Sequence, residues 1–159
     1  MTNPISERWT APTHLPRWYL DASALAKLYV RESDSDLLDE ALDGREDLTT
    51  SDLSITEAIS AAARRHREGT LSAPDLARVR SQLVADRDDG PYRCMSLVPE
   101  LHREAERILV TVRAVPLRAS DALHLAQAIS ARATVFLTFD RRLARAAEAV
   151  GLVVFPGPV

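Results

Sequence analysis

The stretch WYLDASALAKLYV at residues 18–30 contains the pattern on which the fold prediction rests. Its first three residues are large and apolar, as is typical of a short buried strand, and the run from Ala24 to Val30 is patterned as a helix. Asp21 lies between the two. The same order returns in VFLTFDRRLA at residues 135–144, where Asp140 directly follows the apolar run. The chain is therefore expected to place aspartates where strands end and helices begin.

Apolar or β-branched runs alternate with helix-patterned segments along the rest of the chain. Apolar residues recur at helical spacing within 55–62, 76–83 and 101–112. Because strands separated by helices pair in parallel through right-handed crossovers, the sequence predicts an α/β fold, a three-layer α/β/α sandwich with a central, mainly parallel sheet. The five predicted strands are WYL at 18–20, LTTS at 48–51, CMSLV at 94–98, VFLTF at 135–139 and LVVF at 152–155.

The composition indicates a single globular domain. Of the 159 residues, 46% are hydrophobic and 27% are charged, which suits one compact core. Pro4, Pro12 and Pro16 stand among polar residues in the first part of the chain. We therefore expect residues 1–16 to form a flexible N-terminal leader and residues 17–159 to form the folded domain.

Cysteine content, hydropathy and charge narrow the class of protein. The single cysteine, Cys94, excludes an intramolecular disulfide, and the N-terminal segment has no apolar run of the secretory type. No apolar run approaches the roughly 18 to 20 residues that span a bilayer. The sequence thus predicts a cytoplasmic protein with no membrane partner. A formal net charge of -3 argues against a strongly basic protein that coats nucleic acids and fits many soluble enzymes.

Four carboxylates stand at the predicted starts of four helices. Asp21 and Asp140 directly follow strands, and ligands bind outside the carboxyl ends of the strands in open parallel sheets. Glu57 is expected in the first turn of the helix that follows the second strand. Asp121 is expected in the first turn of the apolar helix SDALHLAQAI at 120–129.

The residues alone leave two interpretations of these acids open. In the first they are helix caps, since aspartate is a preferred N-cap and the segment from Ser54 to Glu57 matches the S-x-x-E capping box. In the second they converge on a metal ion. Two carboxylates ~5 Å apart repel by roughly 3 kcal/mol at an effective dielectric of about 20, so convergence requires a cation. Oxygen ligands without a nearby cysteine or histidine pair favour Mg²⁺ or Mn²⁺.

Four motifs follow one another between residues 19 and 152. They are YLDASALAKLYVRE at 19–32, SDLSITEAISAAARR at 51–65, RASDALHLAQAI at 118–129 and VFLTFDRRLARAAEAVGL at 135–152. In content and order they resemble the PIN-domain ribonucleases of the VapC toxin type. The resemblance implies a compact α/β fold whose acidic quartet binds Mg²⁺ or Mn²⁺ and hydrolyses RNA phosphodiester bonds. The family's four acidic positions fall on Asp21, Glu57, Asp121 and Asp140, and all four are present.

The resemblance also implies roles and partners. Within this quartet we hypothesise that Asp21, Asp121 and Asp140 hold one or two metal ions directly or through water. Glu57 would contribute to the metal site and would position or deprotonate the attacking water. The implied function is a metal-dependent endoribonuclease that is the toxin of a type II toxin–antitoxin pair. Its implied partners are an RNA substrate, a cognate antitoxin protein and a second copy of the chain in a homodimer.

Two hydroxyl side chains are predicted to support the acids. Thr138 lies two residues before Asp140 on the same strand face, from which it can hydrogen-bond a neighbouring carboxylate or a metal-bound water. Ser23 can do the same beside Asp21, with ordinary helix capping as the alternative.

His124 and Cys94 are assigned to the core. His124 follows Asp121 by three residues and shares its helical face, so the pair can be read as metal ligands. A lone histidine inside an apolar helix is more often a hydrogen-bonded core residue, and we favour that interpretation. Nothing near Cys94 in sequence would depress its pKa, so it is expected to be buried packing rather than a nucleophile.

Several arginines follow the acids along the chain. Arg64 and Arg65 lie seven and eight residues past Glu57, roughly 10 to 12 Å away at 1.5 Å per helical residue, which suits neighbouring phosphates. Arg141 directly follows Asp140, and we predict that all three arginines bind substrate. A solvated helix face is the alternative for each of them.

Other classes of protein fit less well, with one exception. A phosphoaspartate enzyme of the haloacid-dehalogenase type needs a second aspartate two residues after the first, where this chain has Ser23. A response-regulator receiver domain needs a lysine after its last core strand, and the only lysine is Lys27. A non-catalytic α/β module for dimerisation or partner binding, with the acids as helix caps, remains the alternative function.

Overall fold

A five-stranded parallel sheet forms the centre of the computed structural model, which describes residues 17–157. The strands are β1 (Trp18–Leu20), β2 (Leu48–Ser51), β3 (Arg93–Met95), β4 (Val135–Leu137) and β5 (Val153–Phe155), in the order β3-β2-β1-β4-β5. Every neighbouring pair is parallel, with Trp18 opposite Leu48 on one side and Val135 on the other. The predicted parallel sheet is confirmed, and the predicted leader at 1–16 lies outside the described residues.

Helices connect the strands and cover both faces of the sheet. They are α1 (Ala22–Tyr29), α2 (Ser35–Leu42), α3 (Asp52–Arg67), α4 (Ala73–Asp89), α5 (Pro99–Thr111), α6 (Ala119–Ser130) and α7 (Arg141–Ala149). None of the helices within 17–157 is long and apolar enough to cross a membrane.

The core is divided by the sheet into two hydrophobic clusters. Tyr19 and Phe136 pack with apolar residues of α5, α6 and α7 in one cluster. Trp18, Leu20 and Leu137 pack with residues of α1, α3 and α4 in the other. Successive strand residues point to opposite faces, which explains why neighbours such as Tyr19 and Leu20 belong to different clusters. This arrangement confirms the three-layer sandwich.

Two strands end earlier than predicted because side chains take over the backbone hydrogen bonds. β3 ends at Met95, and the amide of Leu97 donates to the Asp52 carboxylate at 3.1 Å. β4 ends at Leu137, and the amide of Phe139 donates to the hydroxyl of Ser23 at 2.8 Å. The hydrogen bond between Phe139 and Ser23 joins the end of β4 to the start of α1, next to Asp21.

The predicted capping box from Ser54 to Glu57 is wrong. Ser51 is the N-cap of α3, and its Oγ accepts a hydrogen bond from the amide of Ser54 at 3.0 Å. The helix therefore begins one turn earlier than expected, at Asp52. Glu57 consequently lies in the second turn, with no part in capping.

Candidate active site

The four predicted acids line one cavity at the carboxyl ends of the central strands. Asp21 follows β1 and Asp140 lies between β4 and α7, while Glu57 is carried by α3 and Asp121 by α6. The cavity has a volume of about 470 Å³. Other polar side chains that line it are Ser23, Lys27, Glu32, Arg64, Arg65, Arg118, Ser120, His124 and Arg142.

Asp21 is a buried carboxylate with fixed partners. Its side chain is 2% exposed, and its Oδ1 accepts hydrogen bonds from the Ala24 amide at 2.9 Å and the Ser23 hydroxyl at 2.7 Å. Its Oδ2 accepts from the Thr138 hydroxyl at 2.6 Å. Burial raises the pKa of the Asp21 carboxyl because the charged form loses its hydration, and these hydrogen bonds only partly oppose that effect. The hydrogen bonds expected of Ser23 and Thr138 are therefore present.

Asp140 and Asp121 make hydrogen bonds of the capping type. Asp140 is the N-cap of α7, and its Oδ1 accepts from the amides of Arg142 at 2.8 Å and Leu143 at 3.2 Å. Asp121 accepts from the amide of Arg118 at 2.8 Å, just before α6. Capping and convergence are thus not alternatives here, because the same side chains cap helices and face one cavity.

Arg142 carries positive charge into this group of acids. Its Nη2 lies 3.1 Å from Oδ2 of Asp121 and 3.8 Å from Oδ2 of Asp140. No other arginine or lysine between residues 17 and 157 forms an ion pair with the quartet. The Nε of Arg142 is buried without a hydrogen-bond partner, so charge attraction rather than a complete set of hydrogen bonds holds the guanidinium there.

The sequence singled out Arg141, and the structure favours its neighbour. Arg141 is exposed and does not line the cavity, whereas Arg142 does. Side chains in a helix lean toward its N-terminus, which aims Arg142, the second residue of α7, back at the cavity. The sequence pattern of consecutive arginines could not distinguish the two.

Glu57 is held by His124, a histidine that the sequence predicts to be a core residue. Nε2 of His124 lies 2.8 Å from Oε2 of Glu57, and Nδ1 lies 3.0 Å from the hydroxyl of Tyr19. His124 is 2% exposed, so it is the hydrogen-bonded core residue that was expected. The hydrogen bond from His124 lowers the pKa of Glu57, and partial burial acts in the opposite direction. Because the two residues are 67 positions apart, no local pattern indicated the contact.

Two of the three basic residues at the rim of the cavity, Arg65 and Lys27, share one acidic partner. Arg64 is exposed and lines the cavity. Arg65 forms an ion pair with Glu32, whose other oxygen lies 3.2 Å from Nζ of Lys27. Glu32 therefore neutralises part of the positive charge at the mouth of the cavity.

The donor set fits a hard divalent cation, although the acids do not form a ready-made cluster. Between residues 17 and 157, no three aspartate, glutamate, histidine or cysteine side chains are grouped closely enough to hold an ion as they stand. The four carboxylates nevertheless offer the oxygen ligands that Mg²⁺ and Mn²⁺ prefer. The buried Asp21 lacks a partner arginine or lysine in this part of the chain, so a cation would stabilise its charge. An ion between Asp121 and Asp140 would take the place of the Arg142 guanidinium.

Cys94 is half-buried on β3, and burial raises the pKa of its thiol. It does not line the cavity. Both observations agree with the packing role predicted for it.

Comparison with known proteins gives concordant results. The PIN domain family matches residues 18–149. The Mycobacterium tuberculosis ribonuclease VapC49 is 34% identical over 148 residues, which cover 89% of this chain and 96% of that protein. VapC35 of the same organism is 35% identical over 149 residues, covering 87% and 96%. The crystal structure of M. tuberculosis VapC20, a sarcin-ricin loop cleaving toxin, superposes with a TM-score of 0.68 at 19% identity, covering 86% of this chain and 96% of that one.

Proposed function

Since the chain belongs to the PIN domain family and within it to the VapC ribonucleases, we propose that it is a metal-dependent endoribonuclease and the toxin of a type II toxin–antitoxin pair. The family match begins at residue 18, which supports a folded domain that starts near residue 17. One observation supports catalysis most directly. Four acids from separate parts of the chain line a single cavity, whereas caps alone would be scattered over the corners of the fold.

Each acid has a proposed role that follows from its surroundings. Asp21, Asp121 and Asp140 would hold Mg²⁺ or Mn²⁺, which when bound lowers the pKa of a water molecule and polarises the phosphoryl group. Glu57 would contribute to the metal site, orient the attacking water and take its proton. Because Oε2 of Glu57 is engaged with His124, Oε1 is the atom that would accept this proton.

The supporting residues act on the acids. Thr138 and Ser23 fix the Asp21 carboxylate by donating to its two oxygens. Arg64 and Arg65 would contact phosphates of the RNA on either side of the cleaved bond. Arg142 would join them once it is released from Asp121 and Asp140.

Partners and location are part of the same proposal. The VapC relationship supports an antitoxin protein as partner, and a homodimer and a cytoplasmic location stay predictions from the sequence. Co-purification with the product of the adjacent gene tests the antitoxin. A chain that is harmless when overproduced alone, yet fully active on RNA in vitro, would contradict it.

The deciding experiment combines metal binding with RNA cleavage. Mn²⁺ is titrated calorimetrically into the wild type, Asp121→Asn and Asp75→Asn, and the same samples are assayed on RNA. Asp75 is the matched control, because it also lies in the first turn of a helix but does not line the cavity. We expect Asp121→Asn to lose binding and cleavage together while Asp75→Asn keeps both. Absence of binding and cleavage in the wild type would favour the non-catalytic module instead.

A further inference from the structure

A buried polar network lies directly behind Glu57. It runs from the carboxylate through His124 to the hydroxyl of Tyr19, which also lies 3.0 Å from the Ser51 hydroxyl and 3.1 Å from Oε1 of Gln127. Tyr19, Ser51 and Gln127 do not line the cavity. The network therefore reaches the proposed active site through His124, which lines the cavity and contacts Glu57.

We propose that His124, held by Tyr19, is the positioning residue that fixes the Glu57 carboxylate for its work in RNA hydrolysis. The inference rests on the proposed function and deepens it. His124 acts through Glu57 and touches neither RNA nor metal in this proposal.

Glu57 needs such a partner because its side chain is partly exposed and has several rotatable bonds. Its side chain is 35% exposed, and a glutamate has several rotatable bonds, which cost free energy to order. No arginine or lysine within 17–157 forms an ion pair with it. The 2.8 Å hydrogen bond from His124 is thus the main contact that selects one position for the carboxylate, with the Ser120 side chain as a weaker neighbour.

His124 is itself fixed, by burial and by its second ring nitrogen. A carboxylate only accepts hydrogen bonds, so Nε2 of His124 carries the proton that it donates to Glu57. Nδ1 lies 3.0 Å from the hydroxyl of Tyr19 on β1, so the second ring nitrogen also has a fixed polar neighbour. His124 thus orients Glu57, and Tyr19 orients His124. Tyr19 is itself anchored on β1, the central strand of the sheet. Orientation of a functional side chain by such an outer partner is worth about 10- to 100-fold in activity or metal affinity.

Packing alone would not call for this arrangement. An apolar side chain of similar size would fill the space of the His124 ring without requiring buried polar partners, and buried polar groups are stabilising only when they are satisfied. What the histidine adds is a directed N–H that points into the cavity.

Two substitutions of His124 separate the donor from the packing. In His124→Gln the side-chain amide nitrogen can reach the position of Nε2 and donate to Glu57, whereas in His124→Asn it lies near the position of Nδ1 and cannot. We expect His124→Asn to lower kcat on RNA about 10- to 100-fold, with KM changed less than about threefold, and His124→Gln to recover most of the loss. Tyr19→Phe, which removes one hydroxyl, should lower kcat by a smaller factor and serves if the histidine variants fold poorly. Wild-type kcat in both His124→Asn and Tyr19→Phe would overturn the proposal.

A readout without turnover distinguishes this inference from the proposed function. The Nε2 proton of His124 is followed by NMR in the wild type and in Glu57→Gln, together with Mn²⁺ affinity in His124→Asn. We expect the proton resonance to shift in Glu57→Gln and the Mn²⁺ affinity to fall about tenfold in His124→Asn. An unshifted resonance, or unchanged affinity and kcat, would refute positioning. A wild type that binds Mn²⁺ but cleaves no RNA would instead overturn the proposed function. The His124 proton resonance and the Mn²⁺ affinity would still test whether His124 positions Glu57.

Discussion

Arg142 and Asp121 form an ion pair inside the proposed active site, with Nη2 of the arginine 3.1 Å from Oδ2 of the aspartate. Oδ2 of Asp140 lies 3.8 Å from the same nitrogen, so the guanidinium contacts both carboxylates. The arginine stands where a bound cation would be needed, and it compensates the repulsion between the two carboxylates. Metal binding at the proposed site would therefore have to compete with a cation that belongs to the chain itself.

Replacing Arg142 should consequently strengthen metal binding. An ion pair of this partly exposed kind contributes up to about 1 kcal/mol, so Arg142→Gln should raise Mn²⁺ affinity on the order of fivefold in a calorimetric titration without RNA. Arg145→Gln is the matched control, since it removes the same charge from the same helix but does not line the cavity. A weaker affinity in Arg142→Gln would mean that the arginine assists the metal rather than competing with it.

Asp21 should show a conflict between stability and activity. Burial raises the pKa of its carboxyl, so the folded protein keeps this proton to a higher pH than the unfolded chain does. The stability contributed by the protonated form is fully present below the unfolded pKa and is lost as the pH rises through the folded pKa. Asp21→Asn cannot ionise, so without metal it should have a higher free energy of unfolding than the wild type at neutral pH, with the difference vanishing at acidic pH.

The same substitution should abolish function. Loss of a ligand of the proposed metal site should cost several kcal/mol of transition-state stabilisation, so RNA cleavage by Asp21→Asn should fall by at least about a hundredfold. Urea unfolding at several pH values and cleavage assays on the same preparation test both halves. A variant that is destabilised at neutral pH would show that hydrogen bonding at Asp21 outweighs the cost of burying its charge.

Thr138 should matter for both Asp21 and Asp140. Its hydroxyl donates to Oδ2 of Asp21 at 2.6 Å and accepts from the amide of Asp140 at 3.1 Å. Thr138→Val keeps the shape and removes both bonds, so we expect cleavage to fall about 10- to 100-fold and the free energy of unfolding to fall by about 1–3 kcal/mol.

Thr50→Val provides the comparison for Thr138→Val. Thr50 is equally buried in the sheet, and its hydroxyl donates to the carbonyl of Leu20 at 3.0 Å without touching an acid of the quartet. It should lower stability to a similar degree and leave the cleavage rate of the folded protein unchanged. If the two variants lost equal activity, Thr138 would contribute to the stability of the fold and not specifically to catalysis.

The sequence was informative where function follows from short local patterns. Apolar runs that end at Asp21 and Asp140 predicted both the parallel sheet and the edge at which the cavity lies. It failed at the start of α3, because Ser51 and Ser54 both suit capping and only the end of β2 decides between them. It also missed the Glu57–His124 contact and the inward direction of Arg142, since both depend on how α3, α6 and α7 pack together.

The basic rim should control RNA binding through Glu32. Arg65→Gln removes one proposed phosphate contact, which at about 0.15 M salt is worth roughly fivefold in affinity and lowers the salt dependence by about one charge. Glu32→Gln should act in the opposite direction, because it frees Arg65 and Lys27 from their shared partner. Exposed ion pairs contribute only about 0.2–1 kcal/mol, so the gain in affinity should be at most about fivefold.

Equilibrium binding to a non-cleavable RNA at several salt concentrations measures both effects on the rim. Arg67→Gln is the control, because Arg67 is exposed at the end of the same helix and does not line the cavity. Opposite signs for Arg65→Gln and Glu32→Gln, with Arg67→Gln unchanged, would place the RNA backbone along α3. Weaker binding in Glu32→Gln would mean that Glu32 orders the two cations for RNA instead of neutralising them.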